Sequence, residues 1–521
     1  MTGRTVAVVG SGVCGTVIAF LLAQRGYRVD VFEKGGDYPY PHAPQFQDRF
    51  LHGYENPAYA PPDDLQGLTL SGDYHRDLND ERHIVVGGSA THWGAITPRL
   101  RPPDFRTKSQ YGFGDDWPIT YDEVEPYYCR AEALLGVSGT DADNPFAPAR
   151  SRPYPLPPFE LSYGDRVLAG RLAAHGITLH TTPQAATRQA YGARPACQNF
   201  GACDVCPIGA RYSPNYHLMR AVATGACAVH SQTAVRRIVA DRSGRATALV
   251  VRPDGGAADR DHGADVIVVA GGAIENARLL LLSRQDRSLG GLRLGDVVGH
   301  YLAFHHLWTG RLHYAEPLYP GEVGRFTGQS YQFIDPPGRG AHGAVKLEFS
   351  SNIVPPPERS TDGATTGSDV LEALRPTRAQ RMLTVHAESD PSPRRVVTLS
   401  ETRDRFGDPY AHVHYELTEF DHETYRFGRG LFERVAAATG ARRAEFEPVE
   451  SVYSGCHHMG TCRMGRGPRD SVVDSFGAVH GSPNLFVVGG SAFVGPGPVN
   501  PTLTMVALAT RTADYIAGRL L

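Results

Sequence analysis

The chain has 521 residues, of which 41% are hydrophobic and 21% are charged, and its formal net charge is −3. This length exceeds the usual size of one domain, so we expect two domains or one large two-lobed unit. The small net charge gives no indication of a nucleic acid or an anionic membrane as a partner. Eight cysteines are too few for a disulfide scaffold in a chain of this length.

The N-terminal residues predict a strand–helix–strand unit. A short apolar strand ends in a glycine turn within residues 4–12, RTVAVVGSG, and residues 15–28, GTVIAFLLAQRGYR, have helical spacing. A second strand, VDVFEK, follows at residues 29–34. Glycines interrupt the apolar run 6–23, which also lacks the flanks of a signal peptide. The run therefore predicts neither a leader nor a membrane span, and we expect a cytoplasmic protein.

Gly10, Gly12 and Gly15 match the G-x-G-x-x-G pattern where the first strand passes into the helix. Gly10 permits the tight turn, Gly12 lets backbone amides approach a pyrophosphate, and Gly15 lets the helix and strand pack closely. Glu33 ends the second strand, where a carboxylate can accept hydrogen bonds from a ribose. The pattern predicts a dinucleotide without a 2′-phosphate, either FAD or NAD.

The rest of the chain alternates between strands, glycine turns and helices. In chain order we predict a loop or lid at 35–80, a helix after a turn within 115–136, two strands within 233–252, a strand, glycine turn and helix within 264–283, an antiparallel sheet within 310–420, a strand within 484–493 and a closing helix within 500–521.

Glycine-ended strands thus lie at both ends of the chain and in its middle. We predict an α/β fold in which residues 1–300 and 450–521 form a Rossmann-like, FAD-binding lobe, with 35–80 as its loop or lid. Residues 301–449 are predicted to form an inserted α+β substrate lobe that carries the antiparallel sheet. A second glycine turn, VAGGAIENARLL, favours FAD over NAD because a flavin-binding lobe closes around its nucleotide there.

Six motifs in one order resemble the glucose–methanol–choline (GMC) flavoprotein oxidoreductases over nearly the whole chain. They are VVGSGVCG, GGSATHWGAITPRL, DWPITYDEVEPYY, AGGAIENARLLLLS, HHMGTCRMG and NLFVVGGSAFVGPGPVNPTLTMVALATRTADYI. The block 310–440 matches only loosely. THW at 91–93 and Asn500 are similar to the pyranose oxidases, and CQNFGACDVCPIGARY is similar to bacterial FAD-dependent sugar dehydrogenase subunits.

The resemblance implies oxidation of an alcohol by hydride transfer to N5 of the flavin. His457 matches the family's catalytic histidine and would take the hydroxyl proton, and Asn500 would orient the hydroxyl group. The adjacent His458 is interpreted as structural, because neighbouring residues of an extended chain point to different sides. Cofactor contacts are predicted for Gly10, Gly12, Gly15, Glu33, Gly88, Ser89, His92, Trp93, Gly94, Gly271, Gly490 and Thr502.

His92 and the three clustered cysteines each have more than one interpretation. His92 could be covalently joined to the flavin ring, contact it without a bond, or be structural. Cys197, Cys203 and Cys206 could hold a three-iron cluster, remain thiols, or contain a 203/206 disulfide. The last interval is one residue shorter than in cluster-bearing relatives, so the cluster is not the favoured interpretation, and we predict no other metal.

The substrate class implied by the resemblance is a primary or secondary alcohol on a sugar or glycoside, with an aminoglycoside 6′-hydroxyl as one specific version. Either O₂ or another acceptor would reoxidise the flavin, and neither a nucleic acid nor a membrane is expected as a partner. The alternatives are a steroid or long-chain alcohol oxidase, a non-redox lyase that keeps FAD as structure, and a flavoprotein that only passes electrons to a partner.

Overall fold

The computed structural model describes residues 3–44, 67–200, 203, 205–256, 258–285, 292–321, 326–350 and 375–520. Parts of two predicted segments lie outside the described residues. They are residues 45–66 of the expected loop or lid, and residues 322–325 and 351–374 of the expected antiparallel block.

Six strands form a sheet that is parallel except for one edge strand, and we call it the parallel sheet. In spatial order its strands are Ala478–Val479, Ser482–Val487, Val266–Val269, Thr5–Val9, Arg28–Phe32 and Cys227–His230. The central strands are runs of buried valine, isoleucine and alanine, as expected of a parallel sheet that is covered on both faces. The predicted N-terminal strand–helix–strand unit is confirmed.

The helix Val13–Ala23 follows the first strand and is buried from Cys14 to Ala23. It is apolar on all sides because it packs against the parallel sheet and against two other helices, Asn215–Val222 and Thr502–Leu520. The other α-helices of the described residues are Thr107–Tyr111, Tyr121–Leu135, Tyr163–Ala173, Ala273–Gln285 and Glu419–Thr439.

A second six-stranded sheet, which we call the antiparallel sheet, confirms the predicted β-rich block. In spatial order its strands are Arg443–Phe446, His306–His313, Gln380–Ala387, Val345–Ser350, Phe326–Ser330 and His180–Thr181. The short strand His180–Thr181 comes from outside residues 301–449. The division of the chain into lobes at residues 300 and 450 stays a prediction.

The two faces of the antiparallel sheet differ in polarity. One face is apolar and packs on the helix Glu419–Thr439, where a Cβ on Gly428 would lie 2.6 Å from Cγ1 of Val385. Lys346 lies opposite His386 on neighbouring strands, and Glu348 lies two residues further on, so these three side chains share the other face. All three are buried, and we call this side the polar face.

Two three-stranded sheets complete the β-structure of the described residues. Their strands are Thr233–Ala240, Ala246–Pro253 and Arg260–Gly263 in one, and Val396–Arg403, Pro409–Tyr415 and Leu68–Gly72 in the other. The first sheet confirms the hairpin predicted within 233–252. The second differs from expectation, because strands predicted for the antiparallel block pair instead with a strand from the expected loop 35–80. Alternation indicates a strand but does not identify its partner.

Among the described residues, none of the helices is both long enough and apolar enough to cross a bilayer.

Candidate active site

The segment 455–465, GCHHMGTCRMG, lies between the antiparallel sheet and the turn that follows the strand Ser482–Val487. Met459 exchanges backbone hydrogen bonds of 2.9 Å with Ala303, and the N–H of Gly460 donates to the carbonyl of Gly490 at 3.0 Å. Gly455, Cys456 and Thr461 have left-handed backbone conformations, with φ of 65°, 59° and 70°. The segment therefore coils sharply and brings His457 beside the start of the strand His306–His313.

His457 is half-buried beside two other imidazoles. Its Nδ1 lies 3.1 Å from Nδ1 of His305, and its ring centroid lies 5.5 Å from that of His386. His305 is fully buried, and its Nε2 lies 2.9 Å from the backbone carbonyl oxygen of Gly497. The three histidines come from distant parts of the chain, and one ring nitrogen from each lies within 4.8 Å of the others.

Burial keeps these imidazoles neutral. Burial lowers the pKa of His305 to about 3, and the pKa values of His386 and His457 fall well below the ordinary value for the same reason. For His457, the neighbouring His305 and His386 rings add to the effect. A neutral imidazole has one unprotonated nitrogen and can accept a proton at neutral pH.

Asn500 is 8% exposed and is held by Lys346 on the polar face of the antiparallel sheet. The ammonium of Lys346 donates hydrogen bonds to Oδ1 of Asn500 and to Oε1 of Glu348. Since an ammonium only donates, the carboxamide oxygen must face the lysine, and the amide nitrogen faces away. That nitrogen makes no hydrogen bond to the described residues, so the carboxamide presents two donors to a ligand.

Burial lowers the pKa of Lys346, and the adjacent Glu348 opposes that effect. Nδ1 of His386 lies 3.3 Å from the same carboxylate oxygen of Glu348. The carboxylate thus joins the lysine that holds Asn500 to an imidazole beside His457.

His458 has different partners from His457. Its Nε2 lies 3.2 Å from Oε2 of Glu81, and its ring packs edge-on against Phe304 at 5.0 Å. The same carboxylate of Glu81 accepts hydrogen bonds from the hydroxyls of Tyr74 and Ser454. These contacts agree with the interpretation of His458 as a structural residue.

The glycines in the turn at the start of the first helix are of two kinds. A Cβ on Gly15 would lie 2.1 Å from the carbonyl oxygen of Gly10, and a Cβ on Gly10 would lie 2.7 Å from that of Ala270. A Cβ on Gly12 would meet no atom within 4 Å. The protein's own packing therefore requires Gly10 and Gly15, whereas Gly12 keeps clear the space over the helix N-terminus. A pyrophosphate fits such a cradle.

Glu33 is buried at the end of its strand and supports this turn. Its Oε2 accepts hydrogen bonds from the backbone N–H and the hydroxyl of Ser11, and its Oε1 accepts one from the N–H of Gly35 at 2.9 Å. A carboxylate can accept about four hydrogen bonds. The carboxylate therefore keeps capacity for the predicted ribose contact.

The motif at 88–94 lies beside the same turn. A Cβ on Gly88 would lie 3.1 Å from Cα of Gly12, and the hydroxyl of Ser89 accepts a hydrogen bond from the N–H of His83. Nδ1 of His92 lies 3.2 Å from Nδ1 of His83. Covalent attachment of a flavin through His92 stays a prediction.

The other predicted flavin contacts lie at strand or helix ends. The Trp93 indole donates to the Tyr212 carbonyl at 2.8 Å, and a Cβ on Gly94 would lie 3.2 Å from Phe326. The Gly271 N–H donates to Asn276. A Cβ on Gly490 would meet the His458 carbonyl at 2.4 Å. Thr502 is the first residue of the closing helix.

Comparison with known proteins identifies the family. Residues 166–306 and 391–509 match models described as GMC oxidoreductase, and residues 8–56 match a NAD(P)-binding Rossmann-like domain. The 6'''-hydroxyparomomycin C oxidase of Streptomyces lividus is 30% identical over 99% of this chain and 91% of its own. The chain belongs to the GMC oxidoreductase family.

A further relative and a solved structure extend the comparison. The fructose dehydrogenase large subunit of Gluconobacter japonicus is 29% identical over 99% of this chain and 98% of its own. The crystal structure of pyridoxine 4-oxidase from Mesorbium loti has the same fold, with a TM-score of 0.66 and 18% identity over 99% of both chains. The family confirms an FAD-dependent oxidoreductase that acts on CH–OH groups.

The three clustered cysteines of this GMC oxidoreductase are free thiols, as are the other five. Backbone N–H groups lie 3.4 Å from Sγ of Cys197 and from Sγ of Cys206. Within the described ranges, the three thiols do not form a group close enough to share one metal ion. The 203/206 disulfide is therefore not formed in this structure.

Sequence reasoning missed four residues that surround the two predicted catalytic residues. His305, His386, Lys346 and Glu348 all come from the antiparallel sheet or the residue before it. One signal was present: Lys346 and Glu348 alternate within the strand VKLEFS, in a chain with three lysines. Charged residues at a buried strand spacing indicate a paired polar cluster, but not what it contacts.

Proposed function

We propose that this GMC oxidoreductase oxidises a primary or secondary alcohol of a sugar or glycoside to the carbonyl, with His457 as the base and Asn500 as its partner. The observation that carries the proposal is one polar cluster that reaches both residues. Lys346 holds the oxygen of Asn500 and pairs with Glu348, Glu348 contacts His386, and the ring of His386 lies beside the half-buried, neutral imidazole of His457. A base and a hydrogen-bond donor are what an alcohol oxidation requires at the substrate oxygen.

Each residue has one task in this mechanism. The imidazole of His457 accepts the hydroxyl proton as the O–H bond breaks, and the amide of Asn500 donates a hydrogen bond to the oxygen that becomes the carbonyl. When FAD is bound, its flavin would supply the acceptor for the hydride that leaves the carbon. The positive charge of Lys346 lies one hydrogen bond behind Asn500, where it favours negative charge on the substrate oxygen.

The substrate class is supported by the polar face and by the relatives. Lys346, Glu348 and His386 line the side of the antiparallel sheet that meets His457 and Asn500. Such a surface suits the hydroxyl groups of a sugar better than the apolar body of a steroid or long-chain alcohol. Glu348 is already paired with Lys346, so the polar face supports a neutral sugar more than a polycation such as an aminoglycoside.

The proposal is tested by mixing the purified holoenzyme anaerobically with a panel of sugars, glycosides, aminoglycosides, long-chain alcohols and a steroid. A sugar or glycoside should bleach the visible absorbance of the flavin. Bleaching by steroids or long-chain alcohols alone would contradict the substrate class. Consumption of a substrate without bleaching would identify a lyase. Oxygen uptake with the active substrate then distinguishes O₂ from another acceptor.

The role of His457 is tested with the variant His457→Gln, which should slow flavin reduction roughly 10²- to 10⁴-fold while FAD stays bound. The matched control is His458→Gln, whose amide can still donate to Glu81, and it should reduce its flavin at close to the normal rate. An unchanged rate in His457→Gln would refute the assignment. Loss of the rate only in a folded, FAD-containing His458→Gln would show that the two histidines have the opposite roles.

A further inference from the structure

Three groups in line connect the backbone to the proposed base. They are the carbonyl oxygen of Gly497, the imidazole of His305 and the imidazole of His457, with contacts of 2.9 Å and 3.1 Å between successive atoms. The first contact uses Nε2 of His305, and the second joins Nδ1 of His305 to Nδ1 of His457. Nε2 of His457 has no partner among the described residues.

The carbonyl determines the protonation of the first ring. A backbone carbonyl can only accept a hydrogen bond, so Nε2 of His305 must carry the hydrogen. His305 is fully buried, and burial keeps it neutral. A neutral imidazole carries one ring hydrogen, so Nδ1 of His305 is an acceptor.

The tautomer of His305 then determines the tautomer of His457. Because Nδ1 of His305 accepts, Nδ1 of His457 must carry the hydrogen and donate it. The lone pair of His457 is therefore on Nε2. The titratable and charged groups around His305 do not change these two tautomers. They are the imidazoles of His306, His386 and His457, the ammonium of Lys346 and the carboxylate of Glu348. Lys346 and His306 disfavour a second proton on His305, and Glu348 is occupied by Lys346.

We propose that His305 is a positioning residue that, held by the Gly497 carbonyl, sets the tautomer of His457 so that Nε2 is the proton acceptor. The inference rests on the proposed function. In water a neutral histidine favours the tautomer with hydrogen on Nε2, which could not accept the substrate proton there. The hydrogen bond from Nδ1 also strengthens when His457 becomes an imidazolium, which stabilises the product of proton transfer.

The turn that supplies the carbonyl also carries Asn500 three residues later. Gly497 has a φ of 65°, and a Cβ there would lie 2.5 Å from Leu100, so the turn is closely packed. The same rigid turn therefore orients both proposed partners of the substrate oxygen, His457 through His305 and Asn500 directly.

The test compares His305→Leu, which removes both hydrogen bonds, with His305→Asn, whose amide can accept from His457. In His305→Leu, flavin reduction should slow roughly 10- to 100-fold, with FAD content and melting temperature close to wild type. In His305→Asn, most of the rate should return. An equal loss in both variants, or no loss in either, would overturn the proposal.

A second measurement determines the tautomer of His457 and requires no substrate. Nitrogen NMR of protein labelled with ¹⁵N-histidine, with the His457 signals assigned by their loss in His457→Gln, should show hydrogen on Nδ1 and a bare Nε2. The same signals should change in His305→Leu. Hydrogen on Nε2 in the wild type would refute the inference whatever the substrate proves to be. The expected tautomer without flavin bleaching by any sugar or glycoside would refute the proposed function alone.

Discussion

Adjacent identical residues acquire different chemistry from their neighbours. His457 faces two neutral imidazoles, whereas His458 faces the carboxylate of Glu81. An imidazole among neutral rings stays a free base, and one beside a carboxylate is held as a hydrogen-bond donor. The residue type alone therefore does not determine the role. The groups that contact each imidazole ring determine its role.

Lys346 should affect both the rate of flavin reduction and the stability of the protein. Replacing Lys346 with Met removes the donor that holds the oxygen of Asn500 and leaves the carboxylate of Glu348 buried without its cation. Flavin reduction by the active substrate should slow roughly 10²- to 10³-fold, because the amide of Asn500 that donates to the substrate oxygen is no longer held in place. Stability should fall by about 3–5 kcal/mol, measured by urea unfolding.

Two control variants separate the catalytic effect from the structural one. Glu348→Gln keeps the lysine and its bond to Asn500, so its rate should remain within a few-fold of wild type. The double variant Lys346→Met/Glu348→Gln removes the unpaired carboxylate, so it should regain most of the stability but not the rate. Recovery of the rate in the double variant would show that Lys346 acts only through folding.

The glycine turn illustrates how one short element serves both packing and binding. Gly15 brings the helix Val13–Ala23 against the carbonyl of Gly10, and Gly12 keeps the helix N-terminus open. The first helical N–H groups have no partner within a helix and carry a partial positive charge, which suits an anionic pyrophosphate. Packing and cofactor binding are therefore separable within four residues.

Single alanine substitutions should separate these two functions. Gly12→Ala should fold with a melting temperature near that of the wild-type apoprotein but bind FAD more weakly, because the methyl group occupies the cradle. Gly15→Ala should lower the melting temperature of the apoprotein, because its Cβ would overlap the Gly10 carbonyl. FAD content after purification and melting temperature are the two measurements.

Gly170 provides the matched control for this pair. It is an exposed residue in the helix Tyr163–Ala173, where a Cβ would meet no atom within 4 Å. Gly170→Ala should retain FAD and gain up to about 1 kcal/mol in stability. Normal FAD affinity in Gly12→Ala would contradict the placement of the pyrophosphate at this turn.

At the scale of the whole molecule, the chain buries many histidines in the neutral form. Burial lowers the pKa to about 4 for His42, His180 and His306, and to about 3 for His217 and His305. Below the ordinary value of about 6.5, the unfolded chain binds a proton at each site and the folded chain does not. The free energy of unfolding must therefore fall as the pH falls from about 6.5 towards 4.

Each of these histidines should contribute about 1.4 kcal/mol per pH unit in that window, so the protein should unfold in mild acid. Urea unfolding at pH 7.5, 6.5 and 5.5 measures the slope. Replacing buried His217 with Gln should reduce the slope by one proton. A pH-independent free energy of unfolding between 6.5 and 5.5 would contradict the burial of neutral imidazoles.

Local patterns in the sequence were enough to predict the parts of the fold that depend on residues close together in the chain. The N-terminal strand–helix–strand unit, the hairpin within 233–252 and the closing helix follow from periodicity and glycine turns. The partner of the strand Pro409–Tyr415 did not follow, because alternation is the same whichever strand lies beside it.

The sequence by itself determined the family, the cofactor class and the two residues proposed to act on the substrate, since each lies within a short motif. The tertiary structure alone decided what surrounds them. His305 and Lys346 lie more than 150 residues from the groups they contact, His457 and Asn500. No local pattern encodes such contacts, because they arise only when the antiparallel sheet packs its polar face against the histidine segment. That packing determines which nitrogen of His457 is bare and which way Asn500 points.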